Sequence, residues 1–258
     1  MDLHLKDAVV LVTGGSKGIG LACAETFAAE GARVAITSRG HVNIERALAR
    51  LPGAFGVASD LVDPDSAAKM IDAVEAALGP IDVLVNSAGA AQRTIADELT
   101  PAAWRAAMDA KFFTYINVID PVIKRMGARG RGVIVNIIGA GGKVASSTHL
   151  GGGSANAALM LATAGLANAY AGRGVRVVGL NPGLTETERL TEGFRSTARL
   201  AGVDLDEARR RAEAAIPLGR IARPEEIADA ALFLGSSRAS YISGVTIGMD
   251  GVTHPMVV

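Results

Sequence analysis

The sequence predicts an α/β fold built on one doubly wound parallel sheet, and three observations carry that prediction. Short β-branched runs alternate from end to end with amphipathic or alanine-rich runs of helical length. The strand-like runs are rich in apolar residues, as in Val9-Val10-Leu11-Val12 and Val133-Ile134-Val135. A glycine-rich turn joins the first strand to the first helix. Strands alternating with helices argue for parallel pairing. Right-handed crossovers then place helices on both faces, and strands buried on both faces read as continuous Val/Ile/Leu runs.

The elements follow in order. Ala8–Thr13 reads as a strand and Ile19–Glu30 as a helix ended by Gly31. Arg33–Thr37 is a second strand, Ile44–Leu51 a short helix stopped by Pro52, and Gly56–Ser59 a third strand. Pro64–Leu78 is a helix closed by Gly79-Pro80, a strong stop signal. Ile81–Asn86 is the fourth strand, and Pro101–Met126 one long helix with Pro101 in its first turn. Gly132–Ile138 is the fifth strand, Ser154–Ala171 a helix, Val175–Leu180 the sixth strand, Pro224–Leu234 a helix and Gly244–Met249 the last strand. One segment, Leu184–Ile216, is off pattern: polar, charged and helix-prone. At the carboxyl end of a strand it reads as a substrate lid or as a solvated pair of surface helices. No linker or low-complexity tract interrupts the chain, so residues 1–258 are expected to form one domain with 184–216 as its lid.

Composition narrows the function classes. Aromatic residues are only 4%, so the core must be built from Val, Ile, Leu and Ala. The 26 basic and 26 acidic side chains balance, which argues against a nucleic-acid or polybasic-membrane partner. Cys23 is the single cysteine, set between Ala22 and Ala24, and reads as a small buried hydrophobe. No disulfide can form within the chain, which suits a reducing compartment, and no Cys/His cluster has metal-ligand spacing. Asp2, His4, Lys6 and Asp7 precede the first apolar run, unlike a signal peptide. No unbroken apolar run approaches the roughly 20 residues of a membrane span. A cytoplasmic location is therefore expected.

The turn Thr13-Gly14-Gly15-Ser16-Lys17-Gly18-Ile19-Gly20 carries the first chemistry. Gly14, Gly18 and Gly20 permit a tight turn and close approach of backbone N–H groups to a pyrophosphate. The helix opening near Ile19 aims its positive end at the same place. The second strand ends in Thr37-Ser38-Arg39 rather than in an acidic residue that would accept bonds from an adenosine ribose. Arg39 and Lys17 instead offer positive charge where a 2′-phosphate would lie. The expected cofactor is NADP(H) in preference to NAD(H).

At this turn the chain resembles the short-chain dehydrogenase/reductase family, and the resemblance spans nearly the whole sequence. Asp60-Leu61 is similar to the family's pair at the adenine ring, and Asn86-Ser87-Ala88-Gly89 to its Asn-Asn-Ala-Gly motif bordering the cofactor. Asn181-Pro182-Gly183 with Thr187 is similar to its segment at the nicotinamide. Pro217-Leu218-Gly219-Arg220, Arg223–Ala228 and Asp250-Gly251 resemble its C-terminal signature. The resemblance implies a Rossmann sheet, a small-molecule substrate and a homotetramer or homodimer with the Ser154–Ala171 helix at one interface.

The family normally uses an Asn, a Ser, a Tyr and a Lys, and aligning the flanking motifs places other residues at all four positions. The strand Val133–Ile137 is followed by Ile138-Gly139 where Ser-Ser is expected. The Tyr-x-x-x-Lys pattern falls on Gly152 and Asn156, and the supporting Asn on Lys111. Two expectations follow. In the first, the protein is an atypical reductase acting on a carbonyl or enone compound. His149, seven residues before Asn156, would handle the proton, Lys111 would supply positive charge, and Asn156 would bond the ribose. Tyr115, one turn after Lys111, and the hydroxyls of Ser146, Ser147 and Thr148 are further candidates. In the second, the chain keeps the NADP(H) cradle and serves as a catalytically inactive sensor or partner protein.

Overall fold

A computed structural model describes residues 2–89, 91 and 93–256. The strands are β1 (Val9–Thr13), β2 (Arg33–Ser38), β3 (Phe55–Ala58), β4 (Val83–Asn86), β5 (Gly132–Ile137), β6 (Val175–Pro182) and β7 (Thr246–Met249). They form one seven-stranded sheet in the order β3-β2-β1-β4-β5-β6-β7, and every pairing is parallel. The helices are α1 (Gly18–Ala29), α2 (His41–Leu48), α3 (Pro64–Leu78), α4 (Pro101–Met108), α5 (Thr114–Arg129), α6 (Leu150–Tyr170), α7 (Glu188–Ala201), α8 (Leu205–Ala214) and α9 (Pro224–Gly235).

Alternate residues of each strand serve opposite faces. Val10, Val12, Val34 and Ile36 pack with Leu21 and Phe27 of α1 and with Ile227 and Leu232 of α9. Val9, Leu11, Ala35 and Leu84 pack with Met70 and Ile71 of α3, with Val118, Ile119 and Val122 of α5, and with Leu159 of α6. Phe27 is fully buried, and burying such a side chain stabilises the fold by roughly 1.5–3 kcal/mol. The helix starts are set locally. The Asp63 side chain accepts from Asp65 N at 3.1 Å ahead of Pro64, and Thr100 Oγ1 accepts from Ala103 N at 3.2 Å ahead of Pro101.

Several boundaries differ from the sequence expectation. The single long helix expected over 101–126 is divided: α4 ends at Met108, one π turn covers Asp109–Phe113, and α5 runs on to Arg129. The turn is pressed against the end of β4, where a Cβ on Gly89 would stand 2.5 Å from the Ala110 carbonyl oxygen. Thr114 Oγ1 donates to the Lys111 carbonyl at 3.0 Å across the end of this turn. Helix α6 begins at Leu150 rather than at Ser154, because Gly151–Gly153 are helical despite their low propensity. There the lack of side chains permits close packing, with a Cβ on Gly151 falling 2.8 Å from the Ala107 methyl. Strand β6 extends to Pro182, β3 begins one residue early, and α2 lies at 41–48 rather than 44–51.

Strand order reverses between β1 and β4, whose carboxyl ends pair Thr13 with Asn86. Such a reversal opens a crevice at the strand ends. A buried polar chain braces it. Thr13 Oγ1 donates to Asn86 Oδ1 at 3.3 Å, Asn86 Nδ2 to Asn136 Oδ1 at 3.0 Å, and Asn136 Nδ2 to Thr163 Oγ1 at 3.0 Å.

Candidate active site

The crevice is a cleft of about 600 Å³ lined by Gly14, Ser16, Ser38, Arg39, Asp60, Leu61, Ala88 and Gly89 among the residues expected from sequence. Its shape depends on missing side chains. A Cβ on Gly14 would stand 2.9 Å from Ala88 Cα, and one on Gly20 would stand 2.3 Å from the Gly14 carbonyl oxygen. The chain therefore keeps a bare turn at the amino end of α1, where backbone N–H groups and the helix dipole favour an anion. The cleft runs from Ser38, Arg39, Asp60 and Leu61 at one end to Gly89, Ala110 and Thr114 at the other. These residues fit an elongated dinucleotide.

The other expected cofactor residues sit around this cleft in different ways. Lys17 and Gly18 line a smaller adjoining cavity, and Lys17 Nζ lies 3.4 Å from Glu188 on α7. Ile19 is in the first turn of α1. Asn86 is fully buried in the polar chain beneath the cleft. Pro182 ends β6, and Gly183 N donates to the Met249 carbonyl at 3.0 Å. Thr187 caps α7 through Leu190 N at 3.3 Å, and its methyl would lie 3.1 Å from a Cβ on Gly18. Sequence reasoning missed several lining residues, among them Asn43, Ser59, Val62, Ala110, Thr114 and Arg189. A signal was available for two of them: Ala110 and Thr114 are four residues apart, the spacing of one helix face.

His149, Gly152 and Asn156 meet at the start of α6. His149 occupies the N-cap position. A Cβ on Gly152 would stand 2.2 Å from His149 Cε1, so the imidazole fills the space a side chain at 152 would need. A Cβ on Gly141 would stand 3.2 Å from His149 Cδ2 and 3.8 Å from Asn156 Nδ2, which places both side chains around that loop. Asn156 is buried, and its Nδ2 makes a long 3.5 Å contact to the Gly139 carbonyl. His149 Nδ1 and Asn156 Oδ1 are buried with no hydrogen-bond partner in the chain. Burial, then the charges of Arg93, Arg189 and Lys111, hold the imidazole below its usual range. Both effects favour the neutral imidazole.

Lys111 is placed differently. Its amine is buried on the π turn and donates to Tyr115 Oη at 3.0 Å and to the Ile137 carbonyl at 3.2 Å. Burial, then the positive charge of Arg189, lowers its pKa to about 7. The Tyr115 hydroxyl donates to the same carbonyl at 2.5 Å, and burial pushes its phenol upward, so it stays protonated. The hydrogen bonds of Lys111 thus go to the core and not to His149, on which it acts through charge. Ser146 and Thr148 hydroxyls lie 3.3 Å apart in the preceding loop. Among the described residues no cluster of three or more His, Cys, Asp or Glu could hold a metal ion, and no helix is long and apolar enough to cross a membrane.

Comparison with known proteins extends the geometry. The family described as enoyl-(acyl carrier protein) reductase matches residues 14–254. The cis-4-hydroxycyclohexanecarboxylate dehydrogenase of Sinomonas cyclohexanicum is 36% identical, over 95% of this chain and 96% of that protein. A solved structure described as a short chain dehydrogenase/reductase family protein is 35% identical with a TM-score of 0.84, covering 97% of this chain and 98% of that one. The L-sorbose reductase of Gluconobacter frateurii, solved with NADPH and L-sorbose, is 28% identical with a TM-score of 0.92, covering 97% of this chain and 98% of that one. By fold and by sequence, the chain belongs to the short-chain dehydrogenase/reductase family of oxidoreductases.

Proposed function

We propose that the protein is an NADP(H)-dependent oxidoreductase acting on a carbonyl or enone small molecule through a site that departs from the family's usual Asn-Ser-Tyr-Lys set. The observation that carries this reading is the imidazole of His149 seated against Gly152, beside an otherwise side-chain-poor loop. Bound NADP(H) would supply or receive the hydride. His149 exchanges a proton with the substrate oxygen, Asn156 Oδ1 accepts from a ribose hydroxyl, and the Lys111 charge tunes His149 from behind. Arg39 in the cleft and the absence of an acid at Ser38 support a 2′-phosphate. NADPH in the related L-sorbose reductase points the same way.

The helices α7 and α8 within 184–216 act as a lid over this cleft, and the exposed face of α6, where Leu161 is 77% exposed, is where copies of the chain associate as a homotetramer or homodimer. The core-facing hydrogen bonds of Lys111 favour a second reading, a catalytically inactive NADP(H)-binding sensor or partner protein. A panel of ketones and enones decides between them. NADPH oxidation that His149→Ala abolishes supports the enzyme; bound cofactor with no turnover on any compound supports the sensor.

A further inference from the structure

We infer that Arg189 is a cofactor-binding residue, its guanidinium pairing with the diphosphate that joins the two halves of NADP(H). The inference rests on the NADP(H) reading above and adds a residue to that same site.

Three consecutive residues bring the start of α7 to the glycine-rich turn. The Thr187 methyl lies 3.1 Å from where a Cβ on Gly18 would stand. Glu188 Oε2 lies 3.4 Å from Lys17 Nζ. Arg189 follows in the first turn of α7. It lines the cleft together with Gly14 and Ser16 of the turn and with Ser87, Ala88 and Gly89 after β4. Among the described residues of 184–216 it alone lines the cleft. The position is unfavourable without a ligand. A cation in the first turn of a helix opposes the helix dipole. Lys17 faces Glu188, whereas Arg189 has no ion pair among the described residues and its side chain is exposed at the cleft. Partial desolvation and then the charge of Arg93 work against its cationic form, and Glu192 offsets them in part. A bound anion would offset the rest, and a planar guanidinium matches phosphate oxygens through two parallel hydrogen bonds.

The charges in the cleft match the charges of the cofactor. NADP(H) carries two anionic centres, the 2′-phosphate and the diphosphate. Among the described residues the cleft lining holds two basic side chains, Arg39 and Arg189. Arg39 directly follows β2, beside Ser38, where the 2′-phosphate is proposed to lie. Arg189 borders the bare turn at the amino end of α1, where backbone N–H groups and the helix dipole favour a diphosphate. Each arginine thus has one anionic centre to pair with.

The test titrates the full chain calorimetrically with NADPH and with 2′-phospho-ADP-ribose, which keeps the diphosphate and lacks the nicotinamide. The expected result is that Arg189→Gln weakens both ligands by about tenfold, with Arg189→Lys weakening them less. Arg195→Gln removes an exposed charge of the same helix outside the cleft lining and should change neither affinity. Unchanged affinity for both ligands in Arg189→Gln overturns the inference. A loss confined to NADPH also overturns it, because Arg189 would then serve the nicotinamide. An equal loss in Arg195→Gln overturns it as well, since Arg189 would then act only as one charge among several. Unsubstituted protein that binds neither ligand defeats the NADP(H) reading itself. Tight binding by the unsubstituted protein that is indifferent to Arg189→Gln defeats the inference alone.

Discussion

Lys111 is an amine whose proton is penalised by the fold. Its folded pKa is about 7 against an ordinary 10.5, so between those values the unfolded chain binds more protons than the native one. Unfolding free energy should therefore rise with pH through that window and be flat on either side. Lys111→Met removes the slope and, after loss of the bonds to Tyr115 and Ile137, stabilises the protein at pH 6 by about 1–3 kcal/mol. Urea unfolding at several pH values measures this; an unchanged slope contradicts the burial argument. His149 has the same sign of shift. A reduction step that needs its protonated form should speed up as pH falls below the ordinary imidazole range, whereas oxidation needing the neutral form should be level above it. Gly152→Ala tests placement: its Cβ would meet the imidazole at 2.2 Å. It should keep cofactor affinity while lowering turnover by roughly a hundredfold. A variant with full turnover would remove His149 from the reaction.

At the scale of elements, the proposed NADP(H) preference is tested at the end of β2. Arg39→Asp should weaken NADPH binding far more than NADH binding, and equal effects would sink the 2′-phosphate assignment. On the opposite face, Phe27 fills the space between α1 and α9, with a Cβ on Gly235 falling 2.9 Å from its ring. Phe27→Ala should cost about 3–5 kcal/mol in denaturant unfolding. These elements were legible because their patterns are local: alternating apolar runs, Pro64 and Pro101 at helix starts, Gly79 at a stop. The π turn was not, because its causes lie outside its own segment, in Gly89 and in the Ile137 carbonyl that Lys111 reaches. Nor was the start of α6, where three glycines read as a loop until Ala107 is brought against them.

The whole sheet explains where chemistry can occur. Reversal of strand order between β1 and β4 places the ends of β1, β2 and β4 along one cleft, and that arrangement follows from the alternation of strands and helices in the sequence. The candidate site was legible only as residue names. That His149 faces Gly152, and that the Lys111 amine turns toward the core, depends on the packing of α6 against the π turn. The most direct test of the central claim is calorimetric titration of the protein with NADPH and with NADH. The account predicts tight NADPH binding and NADH binding weaker by about tenfold or more. Binding of neither nucleotide, or of NADH as tightly as NADPH, would contradict it.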